Sequence, residues 1–470
     1  MFRHAIFLTV ILTSVQSDIL LDVLKKSIDH KSNACENLYR YTCPLGVNTT
    51  ISQKLEKLIE PIRDSFDTIS VTIADLFSFF NVALDLPVED NFVEFISKSF
   101  SGRCSKEIFA KYKTAFNFTS TQSCLVSDNE YFSKKVSELK RKLSADARYS
   151  MTFIKIFERY NLTDGIVYIE KLFGQMKTIL IEDIKQTEWV IKHNQTEIAI
   201  KAIEKIQLLQ GLKNQNLVKL FFEQFQKCFE SCSKDFPNKD QASNVICSYY
   251  GYSCASSSDF FYIDAHYNMN AANEHNNVVT IGLPFILYAS QTQDEVLKAA
   301  LISSILSHEL AHTFMNSITA SNDNIFTYFP SAAEDCITKQ FEKSCENFKE
   351  VNCFMTFRQV EECGSDIIGM NLAYKAFKQI TDTHNYQSII DELRIPNIDQ
   401  LFFLTYWNFL CKPDKISTDE LKDHPASNIR VNAVVQLAEF QKSFNCFESS
   451  TMMKSRTEQC FIYGQQSKYE

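Results

Sequence analysis

Hydrophobic positions along this chain recur chiefly with the period of a helix. Tyr131-Phe132, Val136, Leu139 and Leu143 are spaced helically, as are Ile179, Ile181 and Ile184, and then Ile198, Ile203, Ile206 and Leu209. The spacing predicts a long helical tract over 130–230 whose apolar stripes are core. Before it, Pro44, Pro61 and Pro87 cut the chain into shorter helical pieces. Polar clusters at Phe236-Pro237-Asn238-Lys239-Asp240 and Ala255-Ser256-Ser257-Ser258-Asp259 mark the passage into a second lobe. Beyond it, Phe260-Phe261-Tyr262-Ile263 and Val278-Val279-Thr280-Ile281 are aromatic and β-branched and predict strands. Helices are predicted around 294–317, 358–381 and 427–442. The pattern describes a mainly α protein with a small β-sheet, of the α+β class. A chain of 470 residues exceeds one compact core, so two lobes are expected.

The apolar run Ala299–Ser307 leads into His308-Glu309-Leu310-Ala311-His312, in a stretch from Leu301 to Phe314 free of glycine and proline. Residues four apart share one helical face, so both imidazoles can point at a single zinc ion. Glu309 lies about 100° round the helix, where its carboxylate can hold an attacking water and take its proton. Metal-assisted peptide hydrolysis needs this set: two nitrogen ligands, a base that does not ligate, and an open coordination position.

Composition narrows the setting. Residues 1–17 read as a cleavable secretory signal, with Arg3 and His4, an apolar stretch Ala5–Val15 and a small-residue site Val15-Gln16-Ser17. That stretch is shorter than the roughly 20 residues a membrane span needs, and no other segment resembles a span. Fifteen cysteines in an exported chain read as disulfides, with at least one thiol left over by the odd count. Sequons at Asn48, Asn117, Asn161 and Asn194 fit the same route. A net charge of −9 argues against nucleic acid or an anionic membrane as partner and leaves the oligomeric state open.

Two histidines need a third protein ligand. Fifty residues past His312 stand Glu362 and Asp366, four apart and leading into Ile367, Ile368, Leu372, Ala373 and Phe377. Glu362 can coordinate zinc while Asp366 accepts from the far nitrogen of a ligating histidine. The spacing fits equally well two surface acids at a helix start, where acids favour the dipole.

The chain resembles the neprilysin and endothelin-converting enzyme family of zinc endopeptidases. His308, Glu309, His312, Glu362 and Asp366 match that family's H-E-x-x-H and E-N-x-A-D motifs one by one. Asp264-Ala265-His266-Tyr267 through Asn277-Val278-Val279 is similar to its N-A-x-Y…N-x-I segment, whose Asn and Ala bind substrate backbone on an edge strand. His424 and Arg430-Val431-Asn432 resemble D-x-H-x-P-x-x-x-R-V-N. Cys35–Cys43 resembles C-x-D-F-Y-x-Y-x-C, Cys460-Phe461-Ile462-Tyr463 the closing C-x-V-W, and Thr187-Glu188-Trp189 a tryptophan helix of the family's lid lobe.

The resemblance implies a thermolysin-like zincin catalytic lobe with a shortened helical lid lobe, and one Zn2+ held by His308, His312 and Glu362. It implies Glu309 as base, His424 steadying the oxyanion, Asp366 supporting a ligand, and Asp264, Ala265 and Arg430 holding small peptides. Disulfides Cys35–Cys446, Cys43–Cys411 and Cys336–Cys460 follow from it. The expected domains are a signal at 1–17, an N-terminal segment at 18–60 packing on the catalytic lobe, a lid at 61–259 and a catalytic domain at 260–470. The expected function is a secreted zinc endopeptidase cutting on the amino side of hydrophobic residues.

Departures from the family cluster around substrate binding. The gripping Asn is Asp264, the Asn after the third ligand is Cys363, Gly282 stands near an expected proline, and the middle of the chain is short. They define a second reading, a weak or inactive member that binds peptides or a protein partner.

Overall fold

The computed structural model describes residues 18–44, 49–68, 162–209, 223–224, 226–234, 247, 250–251, 254, 271–274, 278–315, 326, 328–348, 356–411 and 424–469. The chain forms two compact units. The first comprises Met1–Glu60, Leu162–Leu209 and Tyr267–Glu470, and the second Pro61–Asn161 and Gln210–His266. The elements used below, all in the first unit, are α1 (Ile19–Ser27), α2 (Thr163–Gln186), α3 (Thr196–Lys205), β1 (Gln207–Leu209), β2 (Ala271–Glu274), β3 (Val278–Ile281), α4 (Leu283–Gln291), α5 (Glu295–Met315), α6 (Ser331–Asn347), α7 (Phe357–Thr381) and α8 (Asp399–Phe409).

Two buried helices form the centre. Helix α5 starts where the Asp294 carboxylate accepts from the amides of Val296 and Leu297, at 2.8 and 3.1 Å. It has almost no exposed face, and every residue from Val296 to Ala311 is buried. A helix apolar all round belongs inside a protein, and here it is covered by α7, α8, α2 and the sheet. Helix α7 begins at Thr356, whose side chain accepts from the Gln359 amide, and packs on α5 more extensively than any other described pair of elements. Glycine makes that contact possible. A Cβ at Gly369 would meet the His308 Cα at 2.8 Å and the Ser307 carbonyl oxygen at 2.9 Å.

The sheet has three strands in the order β1-β3-β2. Strand β1 runs parallel to β3 with Gln207 opposite Val278. Strand β2 runs antiparallel with Asn273 opposite Val279 and is an edge among the described residues. The predicted strand at 278–281 is β3. The predicted strand at 260–263 and the helical pattern at 131–143 lie outside the described residues.

Three expectations change. Residues 162–209, expected in the lid, belong to the first unit. The reason is the stripe Ile166, Ile169, Leu172, Phe173, Met176 and Leu180 on α2, which is buried and packs against α4, α5 and α7. Trp189 is likewise fully buried and donates its indole N–H to the Ile462 carbonyl at 3.0 Å. Leu209 ends a strand rather than extending a helix, because the chain turns extended after Lys205 to pair with β3. The helix expected over 427–442 is broken into Ser427–Arg430, a 3-10 turn Val431–Gln436, and Ala438–Phe444. Asn432 and Gln436 there turn inward onto Ser344, Ser455 and Gln340 through hydrogen bonds of 2.6–2.7 Å.

Long-range bridges close the first unit. Cys35–Cys446, Cys43–Cys411 and Cys336–Cys460 are present with Cα separations of 5.3, 5.6 and 5.7 Å. The N-terminal segment is also held by Asn408, whose amide donates to Ser27 Oγ and the Thr42 carbonyl and accepts from the Ile51 amide. In the second unit, Cys228–Cys254 and Cys232–Cys247 staple the helical residues 226–233. Among the described residues the free cysteine is Cys363, buried, with burial and then Asp366 pushing its thiol pKa well up. Such a thiol is inert rather than reactive.

Candidate metal centre

One turn of α5 carries both histidines inward. His308 Nε2 and His312 Nε2 are 3.1 Å apart. Glu362, on the facing side of α7, places Oε2 at 3.3 Å from His308 Nε2 and Oε1 at 3.4 Å from His312 Nε2. Ligands about 2.0–2.2 Å from a tetrahedral zinc stand about 3.3–3.6 Å from one another, so the triangle has very nearly the size zinc needs. Glu362 Oε2 is buried and makes no hydrogen bond of good geometry, which leaves a lone pair for an ion. The three side chains form the metal-competent cluster found among the described residues. Burial opposes ionisation of Glu362, yet both histidines and Arg430 hold its pKa down to about 2.

Asp366 anchors the centre. It is fully buried and faces His308 Nδ1 at 3.0 Å from Oδ1. Arg430 donates to it twice, Nε to Oδ2 and Nη2 to Oδ1, both at 2.7 Å. The Tyr406 hydroxyl donates to Oδ1 at 2.8 Å. Burial raises the Asp366 pKa, but Arg430 and His308 outweigh it and keep the group a carboxylate. His308 is depressed by burial, but Asp366 and Glu362 prevail and raise it to about 10. On His312, Nδ1 has Ser365 Oγ at 3.2 Å and Glu361 Oε1 at 3.4 Å as neighbours.

A cavity of about 320 Å³ opens on this centre. Glu309 lines it, as do His424 and Arg430. His424 is half exposed, with Nε2 at 3.3 Å from Glu362 Oε1, and partial burial lowers its pKa, so the ring is neutral at pH 7. Arg430 Nη2 lies 3.7 Å from Glu362 Oε2 and so faces the centre. Ile305, Phe409 and Leu410 supply an apolar wall. Ala271, Ala272 and Asn273 of β2 supply another side, and the Asn273 amide donates to the Glu309 carbonyl at 2.6 Å and to Thr313 Oγ1 at 2.7 Å.

The structure thus brings together His308, Glu309, His312, Glu362, Asp366, His424 and Arg430. Asp264 and Ala265 lie outside the described residues, as do Asn48, Asn117 and Asn161; Asn194 is exposed. Tyr406, Asn273 and the apolar wall were missed. Tyr406 sits within the apolar run Leu401–Trp407, where it reads as core, and nothing local signals its partner.

Two helices thus bring an H-E-x-x-H pair and a distant glutamate together beside a short sheet, as a group that could hold a metal ion. Residues 270–460 match the family model described as Peptidase family M13, so this part of the chain is similar to that family. No curated protein and no solved structure gives a significant match.

Proposed function

We propose that the protein is a secreted zinc endopeptidase that hydrolyses small peptides on the amino side of hydrophobic residues. The observation that carries this reading is the convergence of His308, His312 and Glu362 within 4.8 Å, with Glu309 in the same cavity. A zinc ion held by these three would supply Lewis acidity and an acidified water. Glu309, one position from the first ligand on α5, takes the proton from the attacking water and passes it to the leaving amine. His424, neutral and at the cavity rim, donates a hydrogen bond to the oxygen that gains charge. Arg430, held rigidly by Asp366, keeps Nη2 turned to the centre for a substrate carbonyl. Ile305, Phe409 and Leu410 make the pocket for the apolar side chain.

The substrate backbone pairs along β2, whose residues Ala271 and Ala272 line the cavity. Ala271, the first residue of β2, follows Asn270 in the sequence, so the family's Asn-Ala dipeptide also occurs here. Secretion is supported by the signal-like 1–17 and by the five disulfides between described cysteines, which belong to oxidising compartments. Among the described residues no helix is long and apolar enough to cross a membrane.

The test is zinc content together with hydrolysis of quenched fluorescent peptides that carry Phe or Leu after the scissile bond. One equivalent of zinc and chelator-sensitive cleavage before the apolar residue are expected. Zinc binding with no cleavage of any peptide would support the binding-module reading instead.

A further inference from the structure

Tyr406 is a conspicuous polar group with no part in the chemistry above. Its ring packs on Trp407 with centroids 4.4 Å apart, it is 4% exposed, and it reaches the catalytic cavity. Its hydroxyl hydrogen points at Asp366 Oδ1, the same oxygen that faces His308 Nδ1.

We propose that Tyr406 is a positioning residue of the metal centre, fixing the Asp366 carboxylate so that Oδ1 stays on His308 and His308 Nε2 stays on the ion. The clause on the ion rests on the zinc-site reading above.

Arg430 grips both Asp366 oxygens from one side, Nε on Oδ2 and Nη2 on Oδ1. That fork alone draws the carboxylate towards the guanidinium, and Nη2 already competes with His308 for Oδ1. The Tyr406 hydroxyl comes from a different helix, α8, and adds a neutral donor to that oxygen. Three groups from three elements then define the carboxylate's rotation, where two would leave it to follow the arginine. Burial raises the phenol pKa well above its ordinary 10, so the hydroxyl is a donor at any working pH. A partner one step removed from the ligand matters because a histidine turned off its axis loses orbital overlap with the metal; loss of such partners commonly weakens metal binding about 10–100-fold.

Tyr406→Phe removes the hydroxyl and keeps the ring, so the core stays filled. Zinc affinity is measured on the whole protein by competition with a chromophoric chelator, and unfolding of the metal-free form is followed in parallel. A zinc dissociation constant raised roughly tenfold is expected. In an Asp366→Asn background the same change should add little, because the oxygen it orders no longer holds His308 by charge. A merely structural hydroxyl would lower the stability of metal-free and zinc-loaded protein equally and leave the zinc constant unchanged, which would overturn the proposal. An equal loss of zinc affinity with and without the Asp366 substitution would overturn it too. If the unaltered protein binds no zinc, the zinc-site reading itself fails; if it binds and Tyr406→Phe binds as tightly, only the role of Tyr406 fails.

Discussion

The close approach of α5 and α7 at Gly369 gives the sharpest test of how the fold builds its site. Replacing Gly369 with alanine puts a methyl 2.8 Å from the His308 Cα, 2.9 Å from its amide nitrogen and 2.9 Å from the Ser307 carbonyl oxygen. All three atoms are backbone, so no rotamer change relieves the clash. Ordinary contact starts at 3.4 Å, and the helices must separate locally by about 0.6 Å. Glu362 lies seven residues, about two turns, before Gly369 and so on the same face of α7. The displacement therefore acts along the line that joins Glu362 to the histidines. Zinc tolerates about 0.2 Å of ligand error, and misplacement near 1 Å costs about a hundredfold in rate. We expect Gly369→Ala to weaken zinc binding on the order of ten- to a hundredfold, with turnover falling alongside. Overpacking costs about 1–3 kcal/mol, and the better helix propensity of alanine returns about 1 kcal/mol of it. The assay is chelator competition for zinc, peptide hydrolysis and thermal unfolding, with Gly174→Ala as control. A Cβ at Gly174 meets nothing within 4 Å, so that variant should gain up to about 1 kcal/mol and keep its zinc. If Gly369→Ala binds zinc and turns over like the unaltered protein, the tight helix pair is not what sets the ligand geometry.

Glu309→Gln should keep one zinc per chain while losing at least about a hundredfold in hydrolysis, measured by metal analysis and a fluorescent peptide, because the amide cannot accept a proton; unchanged turnover would remove Glu309 as the base. Zinc uptake by metal-free protein should release a proton at pH 7, since His308 carries one up to about pH 10 and must lose it to ligate. The proton is bound only in the metal-free form, so affinity should rise with pH by about tenfold per unit between about 7 and 10, read from buffer-dependent binding heats; a flat profile would contradict the carboxylate environment of His308. Replacing Cys35 and Cys446 by serine, with Cys43–Cys411 still closed, opens a loop of only roughly 45 residues and should destabilise by up to about 4 kcal/mol in the chain-entropy model, seen as an earlier unfolding midpoint without change in zinc stoichiometry.

Much of the centre was legible in the sequence because its signals are local. His308 and His312 are one turn apart, Glu362 and Asp366 likewise, and each pair sits in a run whose apolar period already specifies a helix. The strand Val278–Ile281 announces itself by β-branching, and the cysteine pattern led through family resemblance to the three long bridges. What the sequence could not fix is what depends on which surfaces meet. The stripe on α2 says only that one face is buried, and it took the packing of α2 on α4, α5 and α7 to put residues 162–209 in the first compact unit. Tyr406 stands forty residues from Asp366 in an apolar run, and Asn273 thirty-six from Glu309, so neither contact leaves a periodic trace. Gly369 in isolation is a costly residue within a helix; only the His308 backbone lying against it explains why nothing larger fits. Local spacing determines which residues share a face, and non-local packing decides what that face meets.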